Sequence, residues 1–161
     1  MPLPPKRPSE STAEMTEVVL PNDTNPMGFM LGGAVMHLVD IAGAIAAFRH
    51  ARAVMVTAAV DGLEFLNPIK VGDFVVLKAR VTAVFTTSLE VEVKVYSEGA
   101  LTGKRQMTSR AYLTFVTLDR DGGRVEIPPL ILDTDEDRRL QDAARQRRAE
   151  HLARRSRTKE T

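Results

Sequence analysis

The chain has 161 residues, with 22 Lys and Arg against 21 Asp and Glu and no cysteine. That length suits one domain with a real core. The net charge of +1 argues against bulk nucleic-acid binding, and the absence of cysteine excludes disulfides, zinc-thiolate sites and a cysteine nucleophile. The N-terminus carries no apolar signal-like run, so a soluble cytoplasmic protein is expected.

Residues 1–13, with four prolines in the first eight positions, read as a disordered leader, because proline suits neither a helix interior nor a central strand. Glu14 to Leu20 alternates loosely and stops at Pro21, which predicts a first strand. A loop follows, marked by Asn25-Pro26, Gly28 and Gly32-Gly33. From about Gly33 to His50 the chain is Ala, Val, Met, Leu, Ile and Phe almost all the way round. A helix apolar on every side is expected to be buried on every side. Val54 to Phe65 and Phe74 to Phe85 are β-rich and are separated by the turn signals Asn67-Pro68 and Gly72-Asp73. Leu89, Val91, Val93 and Val95 alternate with Glu90, Glu92, Lys94 and Tyr96, a period of two that predicts one dry and one wet face. Gly99 to Gly103 reads as a hairpin loop, Arg105 to Leu118 as the last strand, and Pro128-Pro129 as the close of a domain spanning 14–130.

Residues 131–161 differ in composition. Asp135, Glu136 and Asp137 fit the first turn of a helix capped by Thr134 or Asp133. Arginines crowd the remainder, so the tail is expected to be a solvated helix that frays at its end; the sharper alternative is an electrostatic contact with an anionic partner or another subunit. Consecutive strands with short turns imply an antiparallel sheet. One buried helix against it gives an α+β domain, the sheet curled round the helix. The apolar run of that helix is shorter than the ~20 residues of a bilayer span and is broken by His37 and Asp40, so no membrane partner is expected. Asp40 is the oddity of the helix: a carboxylate buried there needs a compensating partner or a use.

The ordered set Asp23-Thr24-Asn25-Pro26, Gly28, Gly32-Gly33, Val39-Asp40-Ile41-Ala42-Gly43, Arg49-His50-Ala51, Val56-Thr57-Ala58-Ala59-Val60-Asp61, Phe65, Pro68, Gly72-Asp73, Thr87-Ser88 and Glu90-Val91 resembles the cytosolic acyl-CoA thioesterase (acyl-CoA hydrolase) family. The resemblance runs from about Val18 to Arg139. It implies the hotdog fold, a five-stranded antiparallel sheet wrapped round a long central helix, and hydrolysis of acyl-CoA thioesters to free acid and CoA. It implies a homodimer joined edge to edge, assembled further as a trimer of dimers. The active site is placed between subunits, with Asn25 on one side of the cleft and Asp40 on the other. No metal and no separate cofactor are implied, CoA being part of the substrate. Leu31 stands where phenylalanine is common in the family, which bears on pocket shape.

Within that frame Asp40 is the expected general base, with direct carboxylate attack as the second route. Asn25 offers donors to water or to the thioester carbonyl. Gly32 and Gly33 open the helix, where free backbone N–H groups suit an oxyanion. His37 is expected at the cleft edge or satisfied in the core. Asp61, out of place in a β-rich run, and Ser88 with Glu90 are expected near the cleft. Lys70, Arg80, Lys94, Lys104, Arg105 and Arg110 are available to CoA phosphates, with nothing to select among them. A non-catalytic acyl-CoA sensor is the alternative, and would lack Asn25 or Asp40. A hydratase on the same fold would want a histidine between Pro21 and Gly33, and none is there.

Overall fold

Residues 3–159 are described by the computed structural model of the chain. The first and last two residues of the expected leader and tail lie outside them. Strand β1 (Ala13–Val18) leads into the glycine loop and helix α1 (Gly32–Ala51). Strands β2 (Met55–Phe65), β3 (Phe74–Val84), β4 (Ser88–Glu98) and β5 (Arg105–Thr117) follow, and helix α2 (Asp135–Lys159) ends the chain. The strands form one five-stranded sheet in the order β1-β3-β4-β5-β2, and every pairing is antiparallel. This is the α+β hotdog arrangement expected from the sequence.

Helix α1 is 20 residues, roughly 30 Å. It begins without a side-chain cap and ends at Arg52 in the left-handed conformation, φ 48°, where the Arg52 N–H donates to the Phe48 carbonyl. Val39, Ala42, Ala46 and Ala47 are buried against Leu77, Val81, Val91, Val93, Leu113 and Phe115. Gly43 lets the helix approach the sheet: a Cβ there would stand 3.3 Å from the Phe115 ring and 3.4 Å from Leu113. By length and composition α1 is apolar enough to cross a membrane, yet one side of it packs on the sheet. The expectation of burial all round fails on the other side. Met36 is 46% and Phe48 41% exposed, and Asp40 is exposed with them. A helix uniformly apolar in sequence serves two surfaces, and the single chain covers only one.

Two further expectations are corrected. The leader is not disordered where it is described. Lys6 bridges to Leu130, with its N–H on the Pro129 carbonyl and its own carbonyl taking the Ile131 N–H. Its ammonium donates to the carbonyls of Arg49 and His50, at 3.2 and 2.9 Å, and Pro8 and Ser11 are buried. An extended proline-rich strand needs few donors of its own, and a cation meets the last carbonyls of α1 where the helix leaves them free.

The second correction concerns β4. Its supposedly wet face is covered: Glu90 and Glu92 are each only 5% exposed. The tail covers it. Thr134 caps α2 by accepting the Asp137 N–H, while the Asp137 carboxylate accepts the N–H groups of Asp133 and Thr134. Arg80 pairs with Asp137. Arg147 grips Glu90 through both oxygens, at 2.8 and 3.0 Å, with its guanidinium 3.6 Å above the Tyr112 ring. The arginine-rich tail is docked on its own sheet through one face, Asp137, Ala144 and Arg147, while most of its arginines stay exposed as expected.

Candidate active site

Asp40 lies on the open side of α1, facing strand β2. Thr57 pairs with Phe115 across the sheet and so points to the core side. Its hydroxyl donates to Asp40 Oδ1 at 2.6 Å. One carboxylate oxygen is thereby fixed, and among the described residues no hydrogen bond to Oδ2 is made. A cleft of about 330 Å³ holds Asp40, Thr57, Gly33 and His37 among apolar walls that include Met36 and Val60. Gly33 is exposed, and a Cβ placed on it would meet nothing within 4 Å. Its amide sits in the first helical turn, where N–H groups have no intrahelical acceptor. Gly32 instead faces the Phe65 ring at 3.2 Å from its would-be Cβ. Of the expected oxyanion pair, the open one is Gly33. His37 lies at the cleft edge, one of the two places expected for it.

Asn25 sits in a tight loop held by Thr24 pairing with Met30. Its Oδ1 accepts the N–H groups of Met27 and Phe29, at 3.0 and 3.1 Å. The loop thus orients the side chain and commits its acceptor, leaving the amide NH₂ for another partner. Gly28 takes φ +82° to close the turn. Asn25 does not line the Asp40 cleft of the same chain.

The sheet separates the remaining candidates from Asp40. Asp61 pairs with Tyr112, and Ser88 and Glu90 alternate with Leu89 and Val91, so all three face away from α1. They line a groove under α2 instead. Asp61 meets Arg154 at 3.4 Å. Glu90 takes Arg147 and the Thr82 hydroxyl, the latter at 2.6 Å. Burial alone would lower the Arg147 pKa, but the hydrogen bond and charge of Glu90 hold it above its ordinary value. Three of the six cations offered to CoA phosphates are already engaged: Arg80 with Asp137, Lys94 with Glu92 and Arg105 with Glu98. Sequence reasoning places Thr57 in the family pattern but gives it no role. A threonine facing the core beside an exposed helix carboxylate is the signal, and it needs the β2 register to be seen.

Residues 27–104 match the family described as the Thioesterase superfamily. An uncharacterized acyl-CoA thioester hydrolase of Bacillus subtilis (strain 168) is 41% identical over 138 residues, covering 86% of this chain and 80% of that one. The chain belongs to the acyl-CoA thioester hydrolase family.

Solved structures of the family superpose closely. The acyl-CoA hydrolase of Staphylococcus aureus, in complex with butyryl coenzyme A, coenzyme A and coenzyme A disulfide, gives a TM-score of 0.88 at 36% identity, covering 97% of this chain and 96% of that one. An apo-hexameric acyl-CoA thioesterase gives 0.89 at 35% identity, covering 94% and 97%. The S. aureus enzyme has also been solved with an asparagine, an aspartate and a threonine each replaced by alanine. In its own chain that asparagine precedes the aspartate by 15 positions and the threonine follows it by 17. Asn25, Asp40 and Thr57 stand in this chain at the same two separations, 25 to 40 and 40 to 57.

Proposed function

We propose that this protein hydrolyses acyl-CoA thioesters to a free carboxylic acid and CoA, with Asp40 as general base. The observation that carries the proposal is the Thr57–Asp40 hydrogen bond in the cleft under the open amide of Gly33. Thr57 holds Oδ1 and leaves Oδ2 to take a proton from water. The water oxygen bonds to the thioester carbonyl carbon, and the carbonyl oxygen becomes an oxyanion. The Gly33 N–H and the Asn25 NH₂ donate to that oxyanion. The oxyanion then collapses to a carbonyl, the C–S bond breaks, and the CoA thiolate takes the proton from Asp40. The matching separations in the S. aureus variants support the same three residues. Attack by the carboxylate itself is the second route through the same site.

Asn25 is away from the cleft of its own chain, so it is supplied by a second copy. The surface for that copy is present. β2 is a sheet edge with Val56 and Val60 exposed, and the α1 stripe of Met36, Ile41, Ala44, Ile45 and Phe48 lies beside it. Pairing β2 with β2 of a partner satisfies the open edge and buries the stripe. The hexameric family structure supports three such dimers together.

The test is thiol release from acyl-CoAs of increasing chain length. Asp40→Ala is expected to lose roughly 100-fold or more, the scale of a lost base, and Asn25→Ala roughly 100-fold, that of a lost oxyanion donor. Mixing the two inactive variants is expected to restore part of the activity, because mixed dimers keep one intact site. Full activity of folded Asp40→Ala would reject the mechanism. Binding of acyl-CoA with no thiol release by the wild type would leave a sensor in place of a hydrolase.

A further inference from the structure

The edge strand β2 does not run regularly. Thr57 pairs with Phe115 and Val60 with Leu113, so three residues of β2 advance against two of β5. The same happens from Asp61, opposite Tyr112, to Glu64, opposite Arg110. Ala58 is the extra residue of the first bulge. In the second, Gly62 takes φ +66°, a left-handed conformation that favours glycine, and Gly62 and Leu63 share the span opposite Ala111. In a regular strand Thr57, Ala59, Asp61 and Leu63 would share one face. The first bulge shifts that row, so Val60 faces α1 while Asp61 turns to the outer face with Tyr112. The second restores the parity at Leu63. Thr57, Val60 and Leu63 therefore line the Asp40 cleft together, and Leu63 packs against the core beneath it. A second carboxylate is kept out of the cleft, and Leu63 stands four residue steps of β5 from Thr57 instead of six.

Away from Gly33, His37, Asp40 and Thr57 the walls are Met36, Val39, Val60, Leu63 and Leu113, all apolar. A polar group on a chain lying there would lose water without gaining a partner. The volume, about 330 Å³, is at the low end for a small-molecule site. Four steps of strand are roughly 14 Å. Asp40, a water and a carbonyl carbon in reacting contact take about 6 Å of that. An extended chain covers about 1.2 Å per bond, so the remaining length holds an acyl group of about eight carbons. We propose that Leu63, aimed by the Gly62 bulge, closes the acyl end of the cleft and limits the substrate to unsubstituted aliphatic acyl groups of about eight carbons or fewer, an assignment that rests on the hydrolase reading above. Leu63 meets the far end of the chain and sets specificity; it does not touch the reacting atoms.

The experiment reads chain-length preference in two ways. Thiol release gives kcat/KM for acetyl-CoA through palmitoyl-CoA. Calorimetric titration with S-alkyl-CoA thioethers, which carry no cleavable carbonyl, gives affinity against alkyl length without turnover. Wild type is compared with Leu63→Ala and Leu63→Phe, each shown by circular dichroism to be folded. Wild type should peak at or below about eight carbons. Leu63→Ala should raise the preference for dodecanoyl-CoA over butyryl-CoA at least about tenfold, and Leu63→Phe should lower that for octanoyl-CoA over acetyl-CoA by a similar factor, the scale of a few methylenes in an apolar pocket. Each comparison is a ratio within one variant, so a structural defect that lowers every chain length alike leaves the ratio unmoved and overturns the assignment. A wild-type preference for palmitoyl-CoA overturns it too. Thioether affinities that follow Leu63 with no thiol release would reject the hydrolase and leave the pocket standing. Thiol release with a chain-length profile indifferent to Leu63 would do the reverse.

Discussion

Glu90 and Arg147 offer the sharpest test of how α2 is held. Glu90 is 5% exposed and takes two hydrogen bonds from Arg147, at 2.8 and 3.0 Å, and one from the Thr82 hydroxyl. Arg147→Met keeps the aliphatic stem and removes the charge, leaving a buried carboxylate with only a neutral donor. Breaking one side of a buried pair costs about 3–5 kcal/mol. For a chain of this size that lowers the melting temperature by roughly 6–20 °C. Adding Glu90→Leu removes the stranded charge. Thr82 still has the backbone carbonyl of position 90 as an acceptor, at 3.3 Å, and that carbonyl survives the substitution. The double variant is expected to recover most of the loss, since apolar replacements of buried pairs are often neutral or stabilising. Calorimetry and urea unfolding at one fixed protomer concentration read the effect, because assembly shifts apparent stability. A single variant within about 1 kcal/mol of wild type, or a double variant as unstable as the single, would refute the argument that this contact is desolvated.

His50 predicts a pH effect. It is fully buried, with Nε2 on the Pro128 carbonyl at 2.8 Å and Nδ1 without a partner among the described residues. Burial lowers its pKa below the ordinary 6.5, against the raising effect of the Pro128 carbonyl. The unfolded chain therefore takes up this proton first, so the His50 contribution is complete above about pH 6.5 and is lost as pH falls from there toward the folded pKa. Urea unfolding at about pH 7.5 and about pH 5.5 should show that drop, and His50→Phe should flatten it. Asp137 acts in a lower window. Burial raises its pKa, but the Thr134 and Asp133 amides and Arg80 outweigh that and hold it below the ordinary 3.8, so its contribution is lost only as pH falls below about that value. Gly43→Val should cost about 1–3 kcal/mol by pushing α1 off Phe115, seen as a lower midpoint in the same unfolding curves. Lys6→Ala should cost about 0.3–1 kcal/mol by uncapping α1, with faster hydrogen exchange confined to its last turn.

The strands and the central helix are legible because their signals are local. Alternation over 89–96 marks β4, and the glycine and Asn-Pro pairs mark the loop that holds Asn25. What escapes the sequence is non-local. Glu90 and Glu92 look wet in sequence, and only the docking of α2 dries them, with arginine stems and ion pairs doing what apolar residues do elsewhere. The leader looks disordered because its composition says nothing of the carbonyls it meets at the end of α1. Asp40 reads as a buried carboxylate, but in one chain it is exposed beside an apolar stripe, since the sequence cannot say which copy supplies the cover. Thr57 needs the β2 register. The cleft around Asp40 is thus half visible, while Asp61, Ser88 and Glu90 belong to the other face of the sheet from the one expected.

The strand order has a consequence for how the chain reaches its native state. β3, β4 and β5 are neighbours both in sequence and in the sheet, whereas β1 and β2, made first, occupy the two outer positions and pair with β3 and β5. The meander is the most accessible nucleus, since its loops are short, and the two outer strands pay loop-closure entropy across α1 and across the meander itself. Substitutions in β4, such as Val93→Ala, should slow folding, and those in β1 should mainly speed unfolding. If Val93→Ala changed only the unfolding limb, the nucleus would lie elsewhere. A chain emerging from synthesis would hold β1 in waiting until β3 is made and β2 until β5 is complete, with the apolar stripe of α1 uncovered throughout.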